Sequence, residues 1–495
     1  MLDTAAAPID VRINIADQSR SSGSGGVFEH VNAHTGVVQA AVPMAGFSEV
    51  DAAVRAAAVV FDHWRRRRPA ERRDLLIRLA QIVRAKAAEF GQQISLENGT
   101  PISNTEHHAE AAYAWLTYYA GWADKLEGQV SATFMHGRDF TYSIAEPMGV
   151  VGAIIPWNGP LNSLAMKTAP ALAAGNCIVI KPSEFAPFSA ELFARCVREA
   201  GIPDGVCNII PGAREAGDAL IRHPLVDKVS FTGGFPAARE ILVACAETAK
   251  PALMELGGKS ANLIFPDADL RLAASHAINM SVHMWSGQGC IFPSRLLVHD
   301  DVYDEVVERC LAAVDDIVMG NPFDRASTMG PLVSFASVDR ILGVVATAAK
   351  AGDGRLIAGG TRGTGDLAQG AYVAPTIFTD VDPGSSLAQN EIFGPVLSVI
   401  RFRTEAQAIE IANSTRYGLG AYLHTHDVNR VNRLAGELKA GGVFVNGATV
   451  AEPDTPFGGV GLSGYGREGG KVGIEEYTRL KTVSIARPID HAAVA

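Results

Sequence analysis

The chain has 495 residues, of which 47% are hydrophobic and 19% are charged, a composition typical of a globular protein with two or three domains. Its formal net charge of -10 argues against a general affinity for nucleic acid or for anionic membrane surfaces. No apolar run reaches the length that spans a bilayer, so neither nucleic acid nor a membrane is expected as a partner.

The N-terminus and the cysteines bear on the compartment. Met1 to Asp10 lacks the basic segment followed by an apolar core that marks a signal peptide. The six cysteines are dispersed and form neither a CxxC pair nor a Cys/His cluster, so we expect no disulfide framework and no metal site. Dispersed cysteines in a chain of this size indicate a reducing compartment, and we expect a cytoplasmic protein.

The first part of the chain is predicted to form short strands followed by helices. Residues 17–26, rich in Ser and Gly, indicate a turn, and residues 28–43 indicate strands broken at Thr35-Gly36. Ala, Val and Leu at spacings of three and four predict helical structure over 48–94 and again over 107–126.

Four consecutive arginines, Arg65 to Arg68, lie inside the first helical stretch. They could form a basic binding patch, but Glu71 and Asp74 follow closely and favour a solvated helix end.

Strands, turns and helices then alternate, which implies a parallel sheet with helices on its faces. The predicted strands are 133–146, 150–155, 177–180, 206–211 and 228–231. The predicted helices run up to residue 173, over 187–200, over 217–222 and onward from Pro236.

The second half continues in the same style. Its predicted strands are 261–265, 294–298, 396–402 and 442–446, and its predicted helices are 303–319, 337–351 and 405–413. Residues 477–486 alternate enough to form a strand, which could pair with another subunit.

The stretch Trp-Ser-Gly-Gln-Gly-Cys-Ile-Phe-Pro at 285–293 places Cys290 after two glycines. Glycine lets another molecule approach the main chain, and a cysteine presented there can act as a nucleophile. On this stretch alone, a buried small hydrophobic residue is the simpler interpretation of Cys290.

Two other polar residues suit the chemistry of a nucleophilic cysteine. Glu255, beside two glycines, could act as a general base if it is partly desolvated, although a surface or capping carboxylate is the simpler interpretation. Asn158 precedes Gly159-Pro160 and could cap a helix, or its amide could donate to an oxyanion.

Strand ends supply candidate contacts for a nucleotide. Lys181 and Glu184 lie just past a predicted strand and suit ribose hydroxyls, unless they form a simple ion pair. Glu184 would repel a 2'-phosphate, which favours NAD over NADP. Thr232-Gly233-Gly234 before a helix could cradle a pyrophosphate, although the chain has no GxGxxG motif at this point.

Taken together, these segments resemble the aldehyde dehydrogenase superfamily, in its order and at nearly its spacing. The resemblance runs from about Val31 to Val483. It is carried by Pro156-Trp157-Asn158, Ile180-Lys181-Pro182-Ser183-Glu184, Phe231-Thr232-Gly233, Glu255-Leu256-Gly257-Gly258-Lys259, Gly287-Gln288-Gly289-Cys290, Glu391-Ile392-Phe393-Gly394-Pro395 and Pro456-Phe457-Gly458-Gly459.

The resemblance implies a catalytic sequence. Cys290 would attack the aldehyde carbon, with Asn158 and the Cys290 backbone N–H holding the oxyanion. Hydride would pass to NAD, leaving a thioester that water hydrolyses with Glu255 as general base. Lys167 and Glu468 resemble the family's pair near that base.

The resemblance also implies cofactor and substrate contacts. The implied NAD contacts are Ile155, Pro156, Trp157, Lys181, Ser183, Glu184, Gly212, Gly217, Phe231, Thr232, Gly233, Gly234, Leu256, Gly257, Glu391 and Phe393. The implied substrate contacts are Gly159, Asn162, Ser163, Met166, Met284, Gly289, Ile291, Val450 and Phe457.

Several positions depart from the family pattern. Gly234 and Ala238 replace the usual serine and glycine, which removes a hydroxyl contact to the pyrophosphate and leaves the backbone amides. Gly159 and Met166 replace residues that are often aromatic, so we expect a wide pocket. Because the predicted pocket holds no Lys or Arg, we expect a bulky, largely uncharged aldehyde, aromatic or long aliphatic.

By the same likeness the fold is α/β. It would consist of a Rossmann-type parallel-sheet cofactor domain (1–127 and 149–256), a second α/β catalytic domain (257–469) and a small β oligomerisation extension (128–148 and 470–495). We expect a homodimer or homotetramer. The alternatives are a CoA-acylating aldehyde dehydrogenase, against which Glu255 argues, and a non-catalytic scaffold of the same fold.

Overall fold

The computed structural model describes residues 7–131, 139–448 and 450–486. Residues 1–6 of the N-terminal stretch, residues 133–138 of the predicted strand 133–146 and residues 487–495 of the predicted extension lie outside the described residues. No helix within the described residues is both long enough and apolar enough to cross a membrane.

The strands of the first half are β1 (Ile13–Ile15), β2 (Gln18–Arg20), β3 (Val27–Val31), β4 (Val38–Pro43), β5 (Val130–Ser131), β6 (Phe140–Pro147), β7 (Val150–Ile154), β8 (Cys177–Lys181), β9 (Cys207–Ile209), β10 (Lys228–Thr232) and β11 (Ala252–Glu255). Those of the second half are β12 (Ala261–Ile264), β13 (Arg295–His299), β14 (Arg355–Ala358), β15 (Thr376–Thr379), β16 (Val396–Phe402), β17 (Gly420–His424), β18 (Gly442–Val445), β19 (Gly464–Tyr465) and β20 (Thr478–Ile485).

The helices of the first half are α1 (Phe47–Arg65), α2 (Pro69–Ala85), α3 (Ala87–Asn98), α4 (Ile102–Thr105), α5 (His108–Ala120), α6 (Pro160–Ala174), α7 (Pro187–Glu199), α8 (Arg214–Arg222) and α9 (Phe235–Ala246). Those of the second half are α10 (Leu270–Ile278), α11 (Tyr303–Asp315), α12 (Phe335–Ala351), α13 (Ser386–Gln389), α14 (Glu405–Ala412), α15 (Val428–Glu437) and α16 (Gly470–Glu475).

The first sheet has the order β19-β11-β10-β7-β8-β9-β1-β2. Strands β7 to β11 pair in parallel, and β1, β2 and β19 join antiparallel at the two sides. The chain runs from β7 outward to β8 and β9, then crosses back to place β10 and β11 on the other side of β7. Ligands of open α/β sheets bind at the carboxyl ends of the strands beside such a reversal, here at β7 and β10.

The second sheet has the order β14-β15-β16-β13-β12-β17-β18, with only β14 antiparallel to its neighbour. Two small sheets complete the fold, β3 with β4 and β20-β6-β5. The predicted α/β class is therefore confirmed. The predicted domain limits remain a prediction.

Apolar side chains explain why these strands are central. Every residue of β8 is buried, as is expected of a parallel strand covered on both faces. One large apolar cluster surrounds the first sheet, and two others flank the second.

Helix α6 begins at the carboxyl-terminal edge of the first sheet, beside the candidate site. Pro160 lies at its first turn, where the missing N–H costs nothing, and Gly175 ends it in the left-handed conformation at φ 96°. The helix therefore begins directly after the Pro-Trp-Asn segment that follows β7, and its first turn lies beside that segment.

Some predicted elements change in the structure. The prediction of a turn over 17–26 was wrong for Gln18–Arg20, because residues 13–15 provide an antiparallel partner. The helical stretch 48–94 divides into α1, α2 and α3, with a break before Pro69. The four arginines lie at that break and pair with Asp62 and Glu71, so the solvated helix end is confirmed.

Candidate active site

The backbone before Cys290 is strained. Residues 279–283 form a π-helical turn and residues 284–287 a 3-10 turn. Trp285 and Ser286 have φ of 49° and 53°, and Gly287 follows at 72°. A left-handed conformation costs a non-glycine residue roughly 1–2 kcal/mol, so contacts from elsewhere must hold this segment in place.

Three hydrogen bonds fix the strained segment. The Trp285 indole donates to Asn104 Oδ1 at 3.0 Å, and Ser286 Oγ donates to the Gly330 carbonyl at 2.8 Å. The Val333 N–H donates to Gln288 Oε1 at 3.1 Å. Cys290 is therefore presented from a loop anchored to two separate parts of the chain, Asn104 and residues 330–333.

The two glycines of the motif are required by close approach. A β-carbon at position 287 would collide with the Gly394 carbonyl, and one at position 289 would lie 2.5 Å from the Phe292 ring. Side chains at these positions would push the nucleophile loop away from its supports.

A cavity of about 710 Å³ gathers the predicted chemical groups. Asn158, Glu255, Cys290 and Glu468 all line it. Asn158 comes from the segment after β7, Glu255 ends β11, and Cys290 follows the strained turn. Residues far apart in sequence thus share one space.

The Cys290 thiol is held in its neutral form. Burial raises its pKa to about 12, and the nearby carboxylates of Glu255 and Glu391 add to the rise. The backbone N–H groups of Ile291 and Cys290 act in the opposite direction. At neutral pH the thiol therefore needs a proton acceptor when it attacks.

Glu255 has the properties of such an acceptor. It is 2% exposed, and both of its carboxylate oxygens lack a hydrogen-bond partner among the described residues. Burial raises its pKa well above the usual range, and the charge of Glu468 raises it further, while Lys167 and Arg467 lower it. A carboxylate in this state readily takes up a proton.

Lys167 and Glu468 form a buried ion pair behind Glu255. Lys167 Nζ lies 2.6 Å from Glu468 Oε1 and donates to Ser230 Oγ at 3.0 Å. The Tyr477 hydroxyl also donates to Ser230 Oγ, at 3.3 Å. Both charged groups are therefore paired and hydrogen-bonded, as buried charges must be.

The Asn158 amide is oriented by the nucleophile loop. Its Nδ2 donates to the Gln288 carbonyl at 2.8 Å, and the side chain lines the cavity beside Cys290. An amide NH₂ has two donors, so one N–H remains for a ligand oxygen.

The predicted adenosine contacts lie together at the end of β8. Lys181 Nζ donates to the carbonyls of Pro182 and Gly212 at 2.9 and 2.7 Å, and lies 4.0 Å from Glu184 Oε2. A β-carbon at Gly217 would lie 3.7 Å from the Lys181 side chain. The Pro182 and Gly212 carbonyls accept hydrogen bonds from the Lys181 amine. A simple ion pair with Glu184 therefore does not account for the position of Lys181.

The predicted nicotinamide contacts also lie together. Glu391 Oε1 accepts from the Gly258 N–H at 3.0 Å, and a β-carbon at Gly257 would collide with this carboxylate. The Trp157 and Phe393 rings meet edge to face at 5.6 Å. Burial raises the pKa of Glu391.

The segment after β10 fits a phosphate group. The Gly233 N–H donates to the Glu255 carbonyl at 3.0 Å, and Gly234 is the N-cap of helix α9, where a β-carbon would lie 3.7 Å from the Pro236 ring. Unpaired backbone N–H groups at a helix N-terminus bind phosphate oxygens. The N-terminus of α9 lies after β10, at the chain reversal beside β7, so it stays the predicted place for the pyrophosphate of a dinucleotide.

The remaining predicted cofactor residues take up places in the same region. Ile155 donates its N–H to the Lys181 carbonyl at 3.2 Å, and Ser183 Oγ accepts from Phe185 at 3.3 Å. Phe231 lies in β10 opposite Met254, and Leu256 donates its N–H to the Ser463 carbonyl at 3.2 Å. Two others, Pro156 and Thr232, line the cavity itself.

All predicted substrate contacts line the cavity: Gly159, Asn162, Ser163, Met166, Met284, Gly289, Ile291, Val450 and Phe457. Sequence reasoning missed other lining residues: Trp115, His276, Asn279, Met280, Trp285 and Phe292. Trp285 and Phe292 flank the cysteine motif and could have been found there. Trp115 lies on α5, and its sequence gives no signal of a site.

Among the described residues, no group of three or more His, Cys, Asp or Glu side chains could hold a metal ion.

Comparison with known proteins places the chain in a family. The aldehyde dehydrogenase family profile matches residues 20–483. An aldehyde dehydrogenase of Emericella nidulans is 41% identical over 462 residues, covering 93% of this chain and 92% of the relative. The crystal structure of a putative aldehyde dehydrogenase from Burkholderia cenocepacia is similar with a TM-score of 0.94 and 39% identity, over 96% and 97% of the two chains.

An NAD+ complex of the aldehyde dehydrogenase from Bacillus cereus is also similar, with a TM-score of 0.93 and 36% identity over 97% of each chain. The family profile matches most of the chain, and the relatives are similar over nearly their whole length. Both findings agree with the cavity that Cys290, Asn158 and Glu255 share. The chain belongs to the aldehyde dehydrogenase family.

Proposed function

We propose that this chain oxidises a bulky, largely uncharged aldehyde to the carboxylic acid, with NAD as hydride acceptor and water as acyl acceptor. The observation that carries the proposal is one apolar cavity lined by Cys290, Asn158 and Glu255. The family membership supplies the reaction class, and the cavity supports the choice of substrate.

In the first step, the Cys290 sulfur bonds to the aldehyde carbon and the carbonyl oxygen gains the electron pair. The free N–H of Asn158 Nδ2 and the Cys290 backbone N–H stabilise this oxyanion. The thiol proton passes to Glu255, whose raised pKa suits it to accept. The product of the step is a thiohemiacetal on Cys290.

NAD, when bound, accepts the hydride from the carbon of the thiohemiacetal. Lys181 and Glu184 would hold the adenosine ribose, and Glu184 would repel a 2'-phosphate. Glu391 would bind the nicotinamide ribose, while Trp157 and Phe393 would limit the movement of that end. The Bacillus cereus relative binds NAD+ in a structure of the same fold.

The remaining step is hydrolysis of the Cys290 thioester. Glu255 first passes the thiol proton to solvent and then takes a proton from water, while the water oxygen bonds to the acyl carbon. The carbon–sulfur bond breaks to release the acid and the Cys290 thiolate, which takes up the proton held by Glu255. Lys167 and Glu468 act as positioning residues, because their charges set how readily Glu255 gains and loses its proton.

The cavity walls argue against an anionic substrate. Trp115, Met166, Met280, Phe292 and Phe457 contribute apolar surface, and none of the described residues that line the cavity is Lys or Arg. A carboxylate-bearing aldehyde would find no cationic partner there.

A kinetic panel with NAD, measured with and without CoA, tests the proposal. We expect NADH formation with benzaldehyde and decanal that does not depend on CoA. Preference for succinic semialdehyde would contradict the substrate class, and a requirement for CoA would contradict water as acceptor. No NADH with any aldehyde would contradict the function.

We propose a homodimer or homotetramer whose subunits are joined through the three-stranded sheet β20-β6-β5. Val130, Leu480 and Ile485 expose 74%, 73% and 51% of their surface on β5 and β20, which favours a covered edge. Light scattering of the Leu480→Glu variant tests this, and an unchanged mass would contradict it.

Six free cysteines support a reducing, cytoplasmic location.

A further inference from the structure

Most polar side chains that line the cavity either have a hydrogen-bond partner in the protein or take part in the proposed reaction. Asn158, Glu255 and Glu468 belong to the proposed chemistry. Asn279 Oδ1 bonds to His283 Nδ1 at 3.1 Å, and His276 Nδ1 bonds to His424 Nε2 at 3.3 Å. These side chains are held by the protein itself.

Asn162 differs from them. Its Oδ1 is buried and has no hydrogen-bond partner among the described residues, and the side chain lines the cavity. A buried amide oxygen without a partner is costly, because it has given up its hydrogen bonds to water. Such a group in a ligand cavity fits a partner that comes with the ligand.

The position of Asn162 limits what that partner can be. It lies in the first turn of α6, just after Asn158, and shares a helix face with Gly159 and Met166. Ser163, the next residue, lines the same cavity. The partner group should therefore lie on the part of the substrate that faces the first turn of α6.

We propose that Asn162, assisted by Ser163, binds a neutral oxygen substituent on the body of the aldehyde, such as a ring hydroxyl. The inference rests on the proposed function and narrows its substrate class to uncharged, oxygen-bearing aldehydes. An amide can both donate to and accept from a hydroxyl, while the apolar walls hold the carbon skeleton.

Matched substrates test the inference. We expect 3-hydroxybenzaldehyde to exceed 3-methylbenzaldehyde in kcat/KM by about tenfold, because the methyl group leaves the amide unpaired. The Asn162→Leu variant should bring this ratio close to one. The Asn279→Leu variant, which alters a lining amide held by His283, is the matched control and should retain the ratio.

A binding measurement separates this inference from the reaction. In a Cys290→Ala background, which cannot form the thiohemiacetal, quenching of Trp115 and Trp285 fluorescence reports ligand binding. The hydroxyl compound should bind about tenfold more tightly than the methyl compound, and Asn162→Leu should remove the difference. Equal binding of the two compounds, or a preference that survives Asn162→Leu, would overturn the inference even if oxidation is observed.

Discussion

The indole nitrogen of Trp285 donates to Asn104 Oδ1 at 3.0 Å, joining the loop before the nucleophile to helix α4. The same oxygen bonds to His108 Nε2 at 3.2 Å, and the His108 and Trp285 rings meet edge to face at 5.8 Å. Burial lowers the pKa of His108 to about 4, so the imidazole is neutral at pH 7. One asparagine therefore orders the wall of the cavity.

We expect Asn104→Ala to destabilise the protein by about 1–2 kcal/mol, because two donors lose their acceptor. The released indole should also raise KM for benzaldehyde more than for acetaldehyde, since only the larger ring contacts that wall. Thermal unfolding and steady-state kinetics measure the two effects. Asn104→Asp keeps an acceptor and serves as control; equal losses in both variants would contradict the role of the hydrogen bond.

The Cys290→Ala variant tests the nucleophile. Without the sulfur no covalent intermediate forms, so turnover should fall by about 10⁴-fold or more. NAD binding, followed by titration, should persist because the predicted cofactor contacts are unchanged.

Cys207→Ala is the matched control for that variant. Cys207 is a partly buried thiol in β9, and burial raises its pKa to about 12, as it does for Cys290. Only its place outside the cavity distinguishes it. Equal loss of activity in the two variants would contradict Cys290 as nucleophile.

Much of the fold follows from local sequence. The apolar runs of β7 and β8 are buried parallel strands, and such runs are distinctive because both faces are covered. By contrast, β17 and α15 were not predicted. Strand β17 contains Gly420 and His424, and its burial depends on strands β12 and β18 on either side.

Prediction of the site is also limited by contacts between residues that are distant in sequence. The motifs around Cys290, Glu255 and Asn158 correctly indicate residues that share a cavity, while their catalytic roles stay predictions. The left-handed backbone at Trp285 could not be predicted. It depends on Asn104, Gly330 and Val333, which reach the loop only in the folded chain.

The Glu255→Gln variant tests Glu255 as the proton acceptor in both halves of the reaction. An amide cannot take a proton from water, so steady-state turnover should fall by about 10²–10⁴-fold. Because Glu255 also accepts the Cys290 thiol proton, the first formation of NADH should slow as well, and the acyl group that does form should accumulate on Cys290. Stopped-flow absorbance and mass spectrometry of the intact protein measure both. Turnover close to that of the unmodified protein would exclude Glu255 as the base for hydrolysis.

Substitutions of Lys167 and of Glu468 should shift the pH dependence of hydrolysis in opposite directions. Glu255 must be ionised to take a proton from water, so the hydrolysis rate rises as pH passes through its pKa. Glu468 raises that pKa, so Glu468→Gln should move the rising limb to lower pH. Lys167 lowers it, so Lys167→Met should move the limb to higher pH.

Lys167→Met also leaves the buried Glu468 without its cation, which should cost about 3–5 kcal/mol of stability. The double variant Lys167→Met/Glu468→Gln removes both charges and should recover part of that loss. Profiles of kcat against pH, taken with thermal unfolding curves, decide the matter. If Glu468→Gln moved the limb upward, or if both single variants moved it the same way, these charges would not set the proton affinity of Glu255.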